Sequence, residues 1–138
     1  MLKVRSAHIE AFACLLVGRL LLLAPFNWFA HRLGKVVGGE VDSDTKCDPQ
    51  QAMQVRAVRV ALLAVANRLP WHSSCLVRAI AARMMLSNRG LPSALHLGVR
   101  HDSDGKMGAH AWLHCLDIAV VGTEEAEQFN PVAAFVAD

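Results

Sequence analysis

The sequence predicts an α+β fold, with helices in the first part of the chain and a small antiparallel sheet in the second. Up to Gly90 the long apolar segments have helical spacing, whereas from Ala94 onward apolar and polar side chains alternate as they do in strands. Helices that precede the strands, instead of alternating with them, are typical of α+β domains. A chain of 138 residues is long enough to form one domain with its own core.

The helical part contains three long segments. The first covers about residues 6–24 and stops before a proline, and a short helical piece is expected at residues 26–33. Residues 34–49 are rich in glycine and aspartate and are expected to form a connector. A second helix follows at residues 50–69, after a proline that suits a first turn. The third begins after two serines and covers residues 75–90, where a glycine ends it.

The second part predicts strands at residues 94–100, 109–115 and 118–121. A tight turn at residues 116–117 joins the last two. The tail, residues 127–138, is expected to pack as a last helical turn or a short strand. The arginines of the helices are expected to form a solvated face, and they are Arg56, Arg59, Arg78 and Arg83.

Charge and hydropathy exclude several classes of protein. Fourteen basic residues are nearly matched by twelve acidic ones, which argues against an electrostatic nucleic-acid binder. The 54% hydrophobic content argues against a disordered chain. The apolar run at residues 11–24 is shorter than the roughly 20 residues of a spanning helix, and Arg19 interrupts it. No signal-peptide cleavage pattern follows, so we expect a cytoplasmic protein without a spanning segment.

The first helix leaves two interpretations open. Its apolar surface is expected either to dock a partner protein or to pack against the helix at residues 50–69. The four cysteines form no C-x-x-C pair, which indicates a reduced compartment.

The candidate chemistry lies at Cys75 and His110. Cys75 opens a helix, where backbone N–H groups and the helix dipole favour a thiolate and supply donors for an oxyanion. His110 lies at the start of a strand that follows, which is the layout of papain-like thiol enzymes. The alternative is a small buried cysteine beside a core histidine. His114 lies four residues beyond His110, but no third ligand has metal spacing, so no metal site is expected.

Three segments carry a family resemblance. They are LPWHSSCLVRA at residues 69–79, RGLPSALHLGVR at residues 89–100, and His-Ala-Trp at residues 110–112. In this order they resemble the transglutaminase-like cysteine peptidases of lasso-peptide biosynthesis, and most of all the stand-alone protease half of the split B protein. The resemblance implies a transglutaminase-like (papain-like) core at residues 50–138, with residues 1–49 packed as part of the same domain.

The resemblance also implies residue roles. Cys75 is the nucleophile and His110 the general base, and the family triad is completed by an aspartate. By residue type that third member is Asp117, but a hairpin turn at Asp117 places it about 20 Å from the imidazole. Strand geometry favours the Thr123–Glu124 end, so Glu124 stays an alternative. Trp71 is expected at the edge of the cleft as a substrate-binding residue.

The implied function is removal of the leader peptide from a ribosomally made precursor. The implied partners are the precursor leader, a leader-recognition protein and a lactam synthetase. No cofactor is expected to bind directly, and any dependence on ATP enters through the synthetase. The alternative function is a non-catalytic module of the same fold that binds precursor or scaffolds a partner enzyme.

Overall fold

The computed structural model describes residues 2–21, 23, 35–38, 46–70 and 74–137. Within these residues three helices and five strands form one helical layer packed on one sheet. The elements in chain order are α1 (Leu2–Leu21), β1 (Lys35–Gly38), α2 (Pro49–Ala66), α3 (Cys75–Asn88), β2 (Ser93–His101), β3 (Met107–Cys115), β4 (Ile118–Val121), a 3-10 helix (Thr123–Gln128) and β5 (Asn130–Ala137). The predicted α+β class is confirmed.

The sheet is antiparallel throughout, with strand order β1-β5-β2-β3-β4. The three strands predicted from alternation are confirmed as β2, β3 and β4. The tail is a full strand, and β5 lies inside the sheet between β1 and β2. The connector predicted at residues 34–49 contains β1, so the expectation of a loop is wrong there; the helical piece expected at residues 26–33 lies outside the described residues.

Local sequence explains where α2 begins. The Asp48 side chain accepts a hydrogen bond from the Gln51 backbone N–H at 2.7 Å, and the Gln51 side chain accepts one from the Asp48 backbone at 3.1 Å. This reciprocal capping satisfies two N–H groups that a helix leaves unpaired, and Pro49 follows at the first helical position. The start of α2 is therefore fixed about two turns before its first buried residue, Val55.

The helix α1 packs against α2 and α3 through one face, as one of the two interpretations predicted. Ala11, Cys14 and Leu15 are buried in that face. The other face keeps large apolar side chains in solvent, and they are Ile9, Phe12, Leu16, Val17 and Leu20. Within the described part of the chain, none of the helices combines the length and apolar character needed to cross a membrane.

Arg83 does not lie on a solvated face, so that expectation is wrong for this arginine. It is buried between α3 and the sheet, where it donates to the Ser93 hydroxyl at 3.1 Å and to the backbone carbonyl of Phe135. Burial lowers the pKa of Arg83 to about 10. Because the planar guanidinium carries five donors, it joins α3 to both β2 and β5.

Candidate active site

Cys75 is the first residue of α3. Ser74 caps the helix, and its hydroxyl accepts a hydrogen bond from the Val77 backbone N–H at 3.3 Å. The Cys75 side chain is half-buried, at the end of the helix where partial positive charge accumulates. This placement provides backbone N–H donors for a developing oxyanion.

His110 lies on β3 opposite Gly98 of β2. Its side chain is 9% exposed. The imidazole stacks on Phe129 with ring centroids 5.1 Å apart and lies 6.1 Å from the ring of Trp112. These aromatic contacts restrict the motion of the ring, so the histidine is held in place from the side of the sheet that carries Trp112.

Cys75 and His110 line the same cavity, of about 400 Å³. Charged side chains from α2, α3 and the 3-10 helix complete its wall, and they are Arg59, Arg78, Glu124 and Glu125. A second, mostly apolar crevice of about 310 Å³ also borders both residues and continues along β2 and β3. The described hydrogen bonds include none between the Cys75 thiol and the His110 imidazole, although both side chains line the same cavity.

The His110 ring has partners on both of its nitrogens. Nε2 lies 2.7 Å from the backbone carbonyl oxygen of Gly122, which follows β4. Nδ1 lies 4.0 Å from Oε2 of Glu125. Sequence reasoning pointed to this end of the hairpin but missed both Gly122 and Glu125.

Among the described residues, neither Asp117 nor Glu124 forms a hydrogen bond or an ion pair with the His110 ring. The Asp117 carboxylate accepts a hydrogen bond from the Cys47 backbone N–H at 2.9 Å, at the turn between β3 and β4. Glu124 forms an ion pair with Arg59 at 3.1 Å on the rim of the cavity. Trp71, expected at the cleft edge, lies outside the described residues.

The other three cysteines have surroundings that disfavour the thiolate. Burial raises the pKa of Cys14 to about 11 and that of Cys115 to about 12. Partial burial is the main cause that raises the pKa of Cys47, and the nearby Asp117 charge raises it further. No group of three or more metal-ligating side chains gathers among residues that the structure describes.

A half-buried cysteine at a helix N-terminus that shares a cavity with a strand histidine is an arrangement that thiol acyl-transfer enzymes use. The chain belongs to the transglutaminase-like superfamily, whose family model matches residues 20–134. This superfamily includes cysteine proteases and transglutaminases. Searches of curated proteins and of solved structures found no match.

Proposed function

We propose that this protein is a cysteine peptidase that removes the leader from a ribosomally made lasso-peptide precursor. The observation that carries the proposal is the shared cavity of Cys75 and His110 in a transglutaminase-like domain. The substrate class rests on the resemblance of residues 69–79, 89–100 and 110–112 to the leader peptidases of lasso-peptide biosynthesis.

The proposed reaction is acyl transfer through the Cys75 sulfur. His110 takes the thiol proton, and the thiolate attacks the scissile carbonyl while the backbone N–H groups at the start of α3 stabilise the oxyanion. The C–N bond then breaks as the imidazolium protonates the leaving amine, and an acyl-enzyme remains. Water, deprotonated by His110, cleaves the thioester and restores the thiol. Since catalytic hydrogen bonds are often loose without substrate, we expect the thiol–imidazole contact to form when peptide binds.

The partners follow from the same resemblance. A leader-recognition protein presents the precursor, and a lactam synthetase closes the ring on the amine that cleavage frees. The peptidase itself uses no cofactor in this scheme, and ATP is consumed by the synthetase. We place the reaction in the cytoplasm, where a catalytic thiol stays reduced.

The test is cleavage of a precursor peptide, followed by mass spectrometry, with the recognition protein and synthetase present. Wild type is expected to release leader and core, whereas Cys75→Ala gives no detectable product and keeps its unfolding midpoint. Cys47→Ala is the matched control, because Cys47 is a partly buried thiol that does not line the cavity. It is expected to cleave at the wild-type rate. Cleavage by Cys75→Ala at that rate would refute the proposal.

One observation favours the second candidate, a non-catalytic module that binds precursor. The thiol and the imidazole share a cavity without a hydrogen bond between them. If the protein is such a module, the wild type and Cys75→Ala would bind precursor with equal affinity, and neither would cleave it. A binding titration run beside the cleavage assay distinguishes the two functions.

A further inference from the structure

The contact between His110 and Gly122 fixes which ring nitrogen carries hydrogen. A carbonyl oxygen only accepts hydrogen bonds, so at 2.7 Å from it Nε2 must be the donor. In the neutral ring the hydrogen then sits on Nε2, and Nδ1 keeps the lone pair. A backbone group thus sets the tautomer of the candidate base.

The backbone at Gly122 has the conformation that this contact needs. Gly122 has φ +76°, a left-handed conformation that suits glycine, and it forms the turn between β4 and the 3-10 helix. A Cβ at this position would lie 2.5 Å from the Ala111 carbonyl oxygen and 3.2 Å from His110 Nε2. Both the turn and the close approach of the two strands therefore require glycine.

None of the described acidic residues around the site accepts a hydrogen bond from His110 Nε2. Asp117 binds the Cys47 backbone, and Glu124 pairs with Arg59. Glu125 lies near the opposite nitrogen, Nδ1, at 4.0 Å. Within the described residues, the hydrogen bond of Nε2 is made by the main chain alone.

We infer that the Gly122 backbone carbonyl, in the place of a carboxylate side chain, is the positioning group that holds His110 in the Nε2–H tautomer with Nδ1 as its basic atom. The role of Nδ1 as the base rests on the proposed function, whereas the tautomer does not. A neutral carbonyl orients the ring without adding a negative charge at Nε2. The Glu125 carboxylate lies instead on the side of Nδ1, at 4.0 Å.

The direct test is the ring nitrogen spectrum of uniformly ¹⁵N-labelled wild type, with the His110 signals assigned by their loss in His110→Gln. Long-range ¹H–¹⁵N correlation at a pH where the ring is neutral distinguishes the two tautomers. We expect the Nε2–H pattern. A predominant Nδ1–H pattern, or an equal mixture, would overturn the inference whether or not the protein cleaves peptide.

The second test compares Gly122→Ala with Gly90→Ala. Gly90 also has a left-handed φ, +70°, but nothing lies within 4 Å of a Cβ added there, so this control carries the conformational strain alone. We expect Gly122→Ala to lose the Nε2–H preference and to lower precursor cleavage about 10- to 100-fold, the range known for groups that orient a metal-bound histidine. Gly90→Ala should stay within about twofold of wild type.

The outcomes separate this inference from the proposed function. Retention of both tautomer and rate by a folded Gly122→Ala would overturn the inference. If that variant does not fold, the wild-type spectrum still decides it. A wild-type protein with the Nε2–H tautomer and no cleavage under any condition would refute the peptidase function and leave the positioning role of Gly122 intact.

Discussion

Asp117 accepts a hydrogen bond from the Cys47 backbone N–H, with 2.9 Å between the nitrogen and Oδ1. The contact joins the β3–β4 turn to the residues just before α2. This hydrogen bond holds the pKa of the Asp117 carboxyl below its ordinary value. Asp117 thus anchors a turn seven residues beyond His110, on the order of 20 Å along the strand.

Asp117→Asn is expected to leave precursor cleavage within about twofold of wild type, because the amide oxygen can still accept the Cys47 bond. Asp117→Ala should lower the unfolding midpoint. A lowered pKa means that the ionised carboxylate stabilises the fold above about pH 4 and that this contribution is lost as the pH falls. Thermal unfolding should therefore show a larger difference between wild type and Asp117→Ala at pH 7 than at pH 3. A hundredfold loss of cleavage by folded Asp117→Asn would instead identify Asp117 as the third triad member.

Glu125→Gln is expected to lower the rate of precursor cleavage about two- to fivefold, the effect of losing one exposed ion pair. The reason is that its carboxylate lies near His110 Nδ1 and favours the imidazolium formed during the reaction. The effect should shrink at high salt, since Glu125 is largely exposed. Glu124→Gln is the matched control, because its partner is Arg59. Equal losses in the two variants would contradict a specific role for Glu125.

Alkylation of the native protein should discriminate among the four thiols. With iodoacetamide near neutral pH, Cys75 is expected to react first and Cys47 more slowly. Cys14 and Cys115 should react only after unfolding, because burial raises the pKa of each and removes access. Peptide mapping by mass spectrometry over time gives the four rates. Labelling of Cys115 ahead of Cys75 would contradict both the role of Cys75 as the reactive thiol and the burial of Cys115 in the core.

The same buried thiols predict an alkaline loss of stability. In the unfolded chain a cysteine ionises near about pH 8.5, whereas folded Cys14 has its pKa raised by burial to about 11. Stability is therefore complete below about pH 8.5 and falls as the pH rises, by at most about 1.4 kcal/mol per pH unit for each thiol. Urea unfolding at several pH values should show a shallower decline for Cys14→Ala than for wild type. If the free energy of unfolding fell equally steeply with pH in both proteins, the raised pKa of folded Cys14 would be contradicted.

Gly98→Ala is expected to cost about 1–3 kcal/mol, the usual effect of forcing extra atoms into a packed site. A Cβ at Gly98 would lie 2.8 Å from the Trp112 ring and 2.9 Å from Phe129. Gly108→Ala is the control on the neighbouring strand, where the nearest atom is 3.6 Å away. It should change the free energy of unfolding by less than about 0.5 kcal/mol. Denaturant unfolding measures the change in the free energy of unfolding for both variants. Equal changes would show that the close contact of Gly98 with Trp112 and Phe129 does not determine the loss of stability.

Much of the fold could be predicted because the local signals agree with the tertiary structure. Ser74 capped the predicted third helix, and alternation located the strands on either side of the Leu116 turn. Residue type and context predict Cys75 and His110 as the candidate pair, and both line one cavity. Each of these features depends on residues that are close along the chain or on the pairing of two strands. The spacing of residues in the sequence is enough to predict such features.

The remaining features depend on contacts between distant segments. The sequence predicts Arg83 at the surface, together with the other arginines of the helices. In the structure it donates hydrogen bonds to backbone carbonyls of β2 and β5. Gly122 offers no side chain to suggest a role in the site, because its contribution is a backbone carbonyl. One available signal was the glycine itself, since a glycine just after a strand often marks a left-handed turn.

The position of β5 has a consequence for folding during synthesis. In the part of the chain that the structure describes, β5 follows the other four strands, yet it lies between β1 and β2 and accepts a hydrogen bond from the Arg83 guanidinium at Phe135. While a ribosome is still making the chain, β2 therefore has an open edge and Arg83 lacks one of its acceptors. An open edge invites pairing with other chains. Closing this edge thus depends on β5, and a chaperone that shields β2 until β5 emerges should raise the yield of folded protein.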